Sequence, residues 1–165
     1  MRNKMMARAV LTLLATCTIS VGLTTSSSAA TCTYNGCAGK DPETTGCNSG
    51  ATTVKNARTE VGYLAELRYS STCKAVWTRI SGVCLFSPRP YLETGYADPQ
   101  GRYHRQAVFI GPMLGSGCTG HDNPPTITRW TPMSSASRER MYFGADEGSE
   151  VVTWLHTTAC NDCTG

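Results

Sequence analysis

The chain has 165 residues, with 15 Lys and Arg against 12 Asp and Glu and a formal net charge of +3. Three of the bases, Arg2, Lys4 and Arg8, sit in the first 30 residues, which hold no acid, so residues 31–165 carry 12 charges of each sign. That balance excludes the basic excess of a nucleic-acid-binding domain, and the densest basic run, Arg102-Tyr103-His104-Arg105, is short.

Residues 1–30 read as a secretory signal peptide. A basic start is followed by an apolar run from Ala9 to about Leu23, then small residues ending Ser28-Ala29-Ala30. The apolar run is shorter than a membrane span requires, so no transmembrane segment is expected. Leu14-Ala15-Thr16-Cys17 loosely suggests a lipid-modified cysteine, but the apolar run continues past Cys17. Cleavage after Ala30 leaves residues 31–165 as a single secreted, extracellular domain.

Eight cysteines remain: Cys32, Cys37, Cys47, Cys73, Cys84, Cys118, Cys160 and Cys163. An even number in an exported chain points to disulfides. Only Cys160-x-x-Cys163 has a zinc-ligand spacing, with no second pair beside it, so no metal is expected. The first four and the last four cysteines are expected to pair among themselves.

Cys32–Gly50 is rich in turn residues, and Asp41-Pro42 suits a turn. Thr52–Val61 is ambiguous between helix and strand. Ala65, Leu67 and Tyr69 alternate with Glu66, Arg68 and Ser70, and Ala75–Ile80 is β-branched and aromatic, so two neighbouring strands are expected. Glu66, Arg68 and Arg79 lie on these neighbouring strands, where cross-strand pairing contributes, while Trp77 fills the core. Pro88 and Pro90 argue against a central strand over Phe86–Tyr91. Asp98-Pro99-Gln100-Gly101 is a turn leading into Arg102–Ile110. Strict alternation there puts Tyr103, Arg105, Ala107 and Phe109 on one side and His104, Gln106, Val108 and Ile110 on the other. Gly111–Pro125 reads as a long loop, and Thr126–Thr131, Met141–Phe143 and Glu150–Thr157 as strands. The fold class is mainly β, an antiparallel sandwich or barrel held by disulfides.

The stretch Cys32–Ile80 resembles the YjfA-like family of secreted actinobacterial proteins of unknown function. The likeness rests on Cys37-Ala-Gly-Lys-Asp-Pro42, Gly46-Cys47, Glu66–Ser70, Cys73 and Ala75–Ile80. It implies export and a disulfide-containing β domain, and it brings no catalytic residue or cofactor.

Gly115-Ser-Gly-Cys-Thr-Gly120 matches a dinucleotide fingerprint by letters alone, because His121-Asp-Asn-Pro-Pro125 cannot open the helix that fingerprint needs. His121 with Asp122 is a candidate acid–base pair. A ribonuclease-like alternative places Glu93 and His104 as base and acid, with Arg102 and Arg105 holding phosphate. Against both stands a binding reading, in which the rings of Tyr34, Tyr91, Tyr96 and Tyr103, in or near turns, are exposed to a glycan or an extracellular protein. The sequence favours this last reading: a monomeric binding or cell-surface module without cofactor, and not an enzyme.

Overall fold

The computed structural model describes residues 29–84, 88–111, 114–119, 126–137, 140–146 and 151–156, with backbone only for 114–119, 151 and 153–156. The His121-Asp122 pair, Cys160-x-x-Cys163 and all but the last two residues of the expected signal peptide lie outside these residues.

The described residues form two antiparallel sheets. The first has the spatial order β1 (Thr52–Arg58), β2 (Leu64–Ser70), β3 (Ala75–Val83), β7 (Thr126–Trp130) and β6 (Leu114–Thr119), with the short β8 (Ser134–Ser135) also paired to β3. The second has the order β10 (Val151–His156), β9 (Arg140–Asp146), β4 (Arg89–Ala97) and β5 (Tyr103–Ile110). The mainly β, antiparallel and disulfide-linked fold expected from the sequence is observed, with two sheets facing each other where the sequence leaves a sandwich or a barrel open.

Period-two alternation explains the core between the sheets. Ala65, Leu67 and Tyr69 of β2, with Val76 and Ile80 of β3, meet Leu92 of β4 and Met141, Phe143 and Ala145 of β9. All are buried, and each large apolar side chain contributes roughly 1.5–3 kcal/mol. The opposite face of the first sheet is covered as well. The segment from Ala30 through the 3₁₀ turn Tyr34–Cys37 to Ala51 packs Cys37 and Cys47 against Ala75, Trp77, Trp130 and Met133. The first sheet is therefore the middle of three layers.

This second covering changes the role of the alternating polar residues. Glu66 is buried despite its charge, because Arg79 contributes Nε and Nη2, each 2.7 Å from Oε2, and Thr53 Oγ1 donates to Oε1 at 2.7 Å. Arg68 donates to Thr53 Oγ1 and to the Ala51 carbonyl, both at 2.6 Å. Burial first, and repulsion from Arg79 second, lower the Arg68 pKa. The expected cross-strand pairing of Glu66 with Arg79 is present, and Trp77 is 1% exposed.

Three expectations are corrected. Pro90 belongs to β4, which lies between β9 and β5. Its carbonyl accepts from Gly111 N (3.1 Å), so its nitrogen faces the β5 side where that ladder ends, and the β9 pairing loses no donor. The supposed loop Gly111–Pro125 contains β6, an edge strand in which pairing to β7 overrides low glycine propensity. The alternation in β5 is broken by a bulge. Thr94 pairs with Ala107 and Gly95 with Arg105, so Gln106 is the extra residue.

Candidate functional site

The bulge builds the site. Glu93 pairs with Val108; an unbroken ladder would set Gln106 opposite Gly95 and turn Arg105 and Tyr103 toward the core. The extra residue reverses this, bringing Tyr103 and Arg105 to the outer face of the second sheet beside Tyr91 and Glu93. From the other side, the Glu93–Tyr142 pairing delivers Tyr142 of β9 to the same face. Gly95 completes the arrangement. A Cβ there would lie 2.3 Å from the His104 carbonyl oxygen and 2.7 Å from both Cε2 and Oη of Tyr103. Only a residue without a side chain leaves room for that ring.

The result is an open hollow of about 260 Å³ lined by Tyr91, Glu93, Tyr103 and Tyr142. The Tyr103 and Tyr142 rings stand at 79° with centroids 5.4 Å apart, forming two walls at a corner. Glu93 is 6% exposed, and its carboxylate is held by the Tyr91 hydroxyl on Oε2 and by Arg105 Nε at 3.1 Å from Oε1. Burial, and then the hydrogen bond to Glu93, push the Tyr91 phenol up to about 12. Burial first and the neighbouring Glu93 second push Tyr103 up as well. The Tyr103 hydroxyl is buried and completes no hydrogen bond of good geometry. Glu93 in turn raises the pKa of Arg105. The site is thus aromatic and nearly charge-neutral, with one carboxylate already occupied.

The expected catalytic set does not assemble. Glu93, in the wall of the hollow, meets Arg105, whereas His104 and Arg102 sit at the β4–β5 turn with Asp98. His104 Nε2 lies 2.9 Å from Asp98 Oδ2, and Arg102 Nε donates to the same oxygen at 2.8 Å. The hydrogen bond with His104, ahead of those from Arg102 and Gln100, holds the Asp98 carboxyl down at about 2. His104 also stacks on Tyr96, with centroids 5.1 Å apart at 16°. This cluster organises an exposed turn, and none of its members is among the residues that line the hollow.

The tyrosines expected to be exposed divide in a different way. Tyr34 is 50% exposed and Tyr96 39%, but Tyr91 is only 9% exposed, because β4 is an inner strand. Tyr103 is half-buried over Gly95. The sequence reading missed Tyr142, although alternation between Met141 and Phe143, both in the core, already places its ring on the opposite face.

A second cluster is covalent. Cys32 is bonded to Cys37 and Cys47 to Cys73, both within the first four cysteines as expected. Cys84 is also disulfide-bonded. All four sulfurs of the first two bridges lie within 4.8 Å of one another, a convergence that linear spacing does not announce.

The model of a protein family of unknown function (DUF2690) matches residues 35–103. No curated protein and no solved structure matches the chain. The matched segment runs from the 3₁₀ turn to the start of β5, so it includes Tyr91, Glu93, Gly95 and Tyr103 and stops before Arg105 and Tyr142. At that resolution the chain is similar to a domain family to which no activity is attached.

Proposed function

We propose that residues 31–165 are one exported binding domain of the YjfA-like kind, that its ligand is a neutral glycan, and that the sugar sits in the tyrosine-lined hollow. The hollow carries this reading. Rings at a corner offer apolar faces to sugar C–H groups, and the Glu93–Arg105 pair offers an acceptor and donors to hydroxyls. Because Arg105 compensates Glu93, the site favours neither cations nor anions. The surrounding sheet is held on both flanks of β4, so little ordering is needed on binding.

Hydrolysis is the weaker reading. Glycoside cleavage commonly uses two carboxylates across the scissile bond, and the residues lining the hollow supply one. The His104–Asp98 pair has acid–base chemistry, but it stands at an exposed turn and outside the lining of the hollow. Export is supported by the three-part signal and by the bridges, which suit an oxidising compartment. N-terminal sequencing of the secreted protein is expected to begin at Thr31.

The test is a glycan array followed by calorimetry on the best ligand. Tyr142→Ala is expected to weaken binding by about tenfold or more, about 1.4 kcal/mol. The reading is overturned if no glycan binds, or if RNA, peptide, ester or glycan turnover is found that Glu93→Gln or His104→Ala abolishes with the fold intact.

A further inference from the structure

The two bridges under the first sheet are packed together. Cys32 Sγ lies 3.7 Å from Cys47 Sγ, and Cys37 Sγ lies 4.0 Å from the same atom. In a tetrahedral zinc site with Zn–S bonds of about 2.3 Å, neighbouring sulfurs are about 3.8 Å apart by simple geometry. Two of the four sulfur pairs between the bridges therefore already stand near the edge length of such a tetrahedron, and all four sulfurs lie within 4.8 Å of one another.

We propose that these four cysteines form a tetrathiolate zinc site when both bridges are reduced. The backbone that presents them does not depend on the bridges alone. Tyr34 N donates to the Cys73 carbonyl at 2.7 Å, and Cys73 N donates to Ser70 Oγ at 3.2 Å. Gly39 N to Met133 O and Met133 N to Lys40 O, both 2.9 Å, tie the cysteine-bearing segment to the chain after β7. Trp130 Nε1 donates to Asp41 Oδ1 at 3.1 Å, fixing the turn between Cys37 and Cys47. These contacts persist after reduction and keep the thiols converging. Cys37, Cys47 and Cys73 are buried against Ala75, Trp77 and Met133, as in a closed structural site. Cys32, only half-buried, provides the way in for reductant and ion.

The chemistry balances with a phosphine as reductant. Each phosphine reduces one bridge, gives two thiols, and takes an oxygen from water to become the phosphine oxide. Zinc then replaces the thiol protons as four Zn–S bonds form, so binding weakens as pH falls. Oxidation of the thiolates back to two bridges, by exchange with two molecules of a small disulfide that are each reduced to two thiols, releases the ion. The cluster would hold the same segment on the same sheet in either redox state.

The experiment uses the full chain, reduced with tris(2-carboxyethyl)phosphine, loaded with zinc and freed of excess metal by gel filtration. One zinc per chain is expected. Cobalt in its place should show the intense visible absorption of tetrahedral thiolate coordination. Cys47→Ser should lose the zinc and Cys84→Ser should keep it. Because Cys47→Ser can also disturb folding, alkylation of the wild-type chain provides a second measurement. Zinc should protect Cys32, Cys37, Cys47 and Cys73 and leave Cys84, Cys118, Cys160 and Cys163 reactive. A reduced chain that holds no zinc, or protection falling on the later four cysteines, overturns the proposal.

Discussion

Gly95→Ala is the sharpest test of how the hollow is built. The added Cβ would stand 2.3 Å from the His104 carbonyl oxygen, which belongs to the backbone of the paired strand and cannot rotate away. Restoring an ordinary contact of about 3.5 Å requires a shift of more than about 1 Å in one of two hydrogen-bonded strands. Overpacking costs about 1–3 kcal/mol, and a backbone obstacle puts this variant near the upper end. At roughly 2–8 °C per kcal/mol for domains of this order of size, a fall in Tm of about 10 °C is expected. Gly101→Ala is the control. Its φ of +78° makes a side chain unfavourable, but nothing lies within 4 Å of the new Cβ, so it should cost about 1 kcal/mol. Thermal denaturation followed by circular dichroism gives both numbers, and glycan affinity gives a third. Gly95→Ala displaces the Tyr103 ring and should lose the ligand, whereas Gly101→Ala should retain it. If Gly95→Ala melts within about 2 °C of the parent, the close approach of β4 and β5 at the bulge is not what the structure describes.

Tyr103→Phe removes a buried hydroxyl that lacks a good partner, so urea denaturation should show stability unchanged or raised by up to about 1 kcal/mol, with the ring wall kept. Marked destabilisation would mean that the hydroxyl is bonded. Glu66→Ala leaves Arg79 and Arg68 facing each other without their shared carboxylate. A loss of about 2 kcal/mol is expected, discounted for the partial exposure of Arg79 and larger at low salt. The folded Asp98 carboxyl titrates at about 2, below the usual carboxylate value near ~3.9, so its contribution is present above about pH 4 and lost as pH falls through about 2. Carboxyl NMR should find that value, and His104→Ala should move it up; no movement would remove His104 as the principal cause. Tyr91 has the opposite sign. Its phenol is raised to about 12, so its contribution is complete below about pH 10 and lost as pH rises through about 12, which ultraviolet titration of the wild type against Tyr91→Phe can follow.

What was legible in the sequence was local. Asp98-Pro99-Gln100-Gly101 carries its own turn chemistry, and Asp98 Oδ1 indeed accepts from the backbone nitrogens of Gln100 and Arg102. Leu67 and Glu66 declare opposite faces by period alone, and Trp77 is too large and apolar to be placed elsewhere. What was hidden depends on partners distant in the chain. Gln106 has nothing that marks it as an extra residue, because a bulge is a mismatch between two strands and not a property of one. Without it, Arg105 and Tyr103 are assigned to the wrong face and Glu93 loses its partner. Pro90 looked like a strand breaker because the cost of its missing donor depends on which edge of the strand it faces. The burial of Glu66 was not legible because the groups that hold it, Thr53 on β1 and Arg79 on β3, stand on strands paired to either side of its own. The four converging sulfurs were hidden because the covering segment lies before β1 and packs on the far side of the sheet.

That covering segment also sets an order of assembly. Asp41 and Trp130 are 89 residues apart, yet Cys47 and Cys73 are separated by only 26. A chain emerging from its N-terminus presents all four early cysteines before any residue of the second sheet exists. Once Cys47 is bonded to Cys73, the lid is tethered beside the β2–β3 turn, and the later search by Trp130 spans a much shorter effective loop. The protein can thus close its outermost layer first and fill the space between the sheets afterwards. Trapping thiols on growing chains of different lengths would reveal that sequence, with Cys47–Cys73 forming before β7 is available.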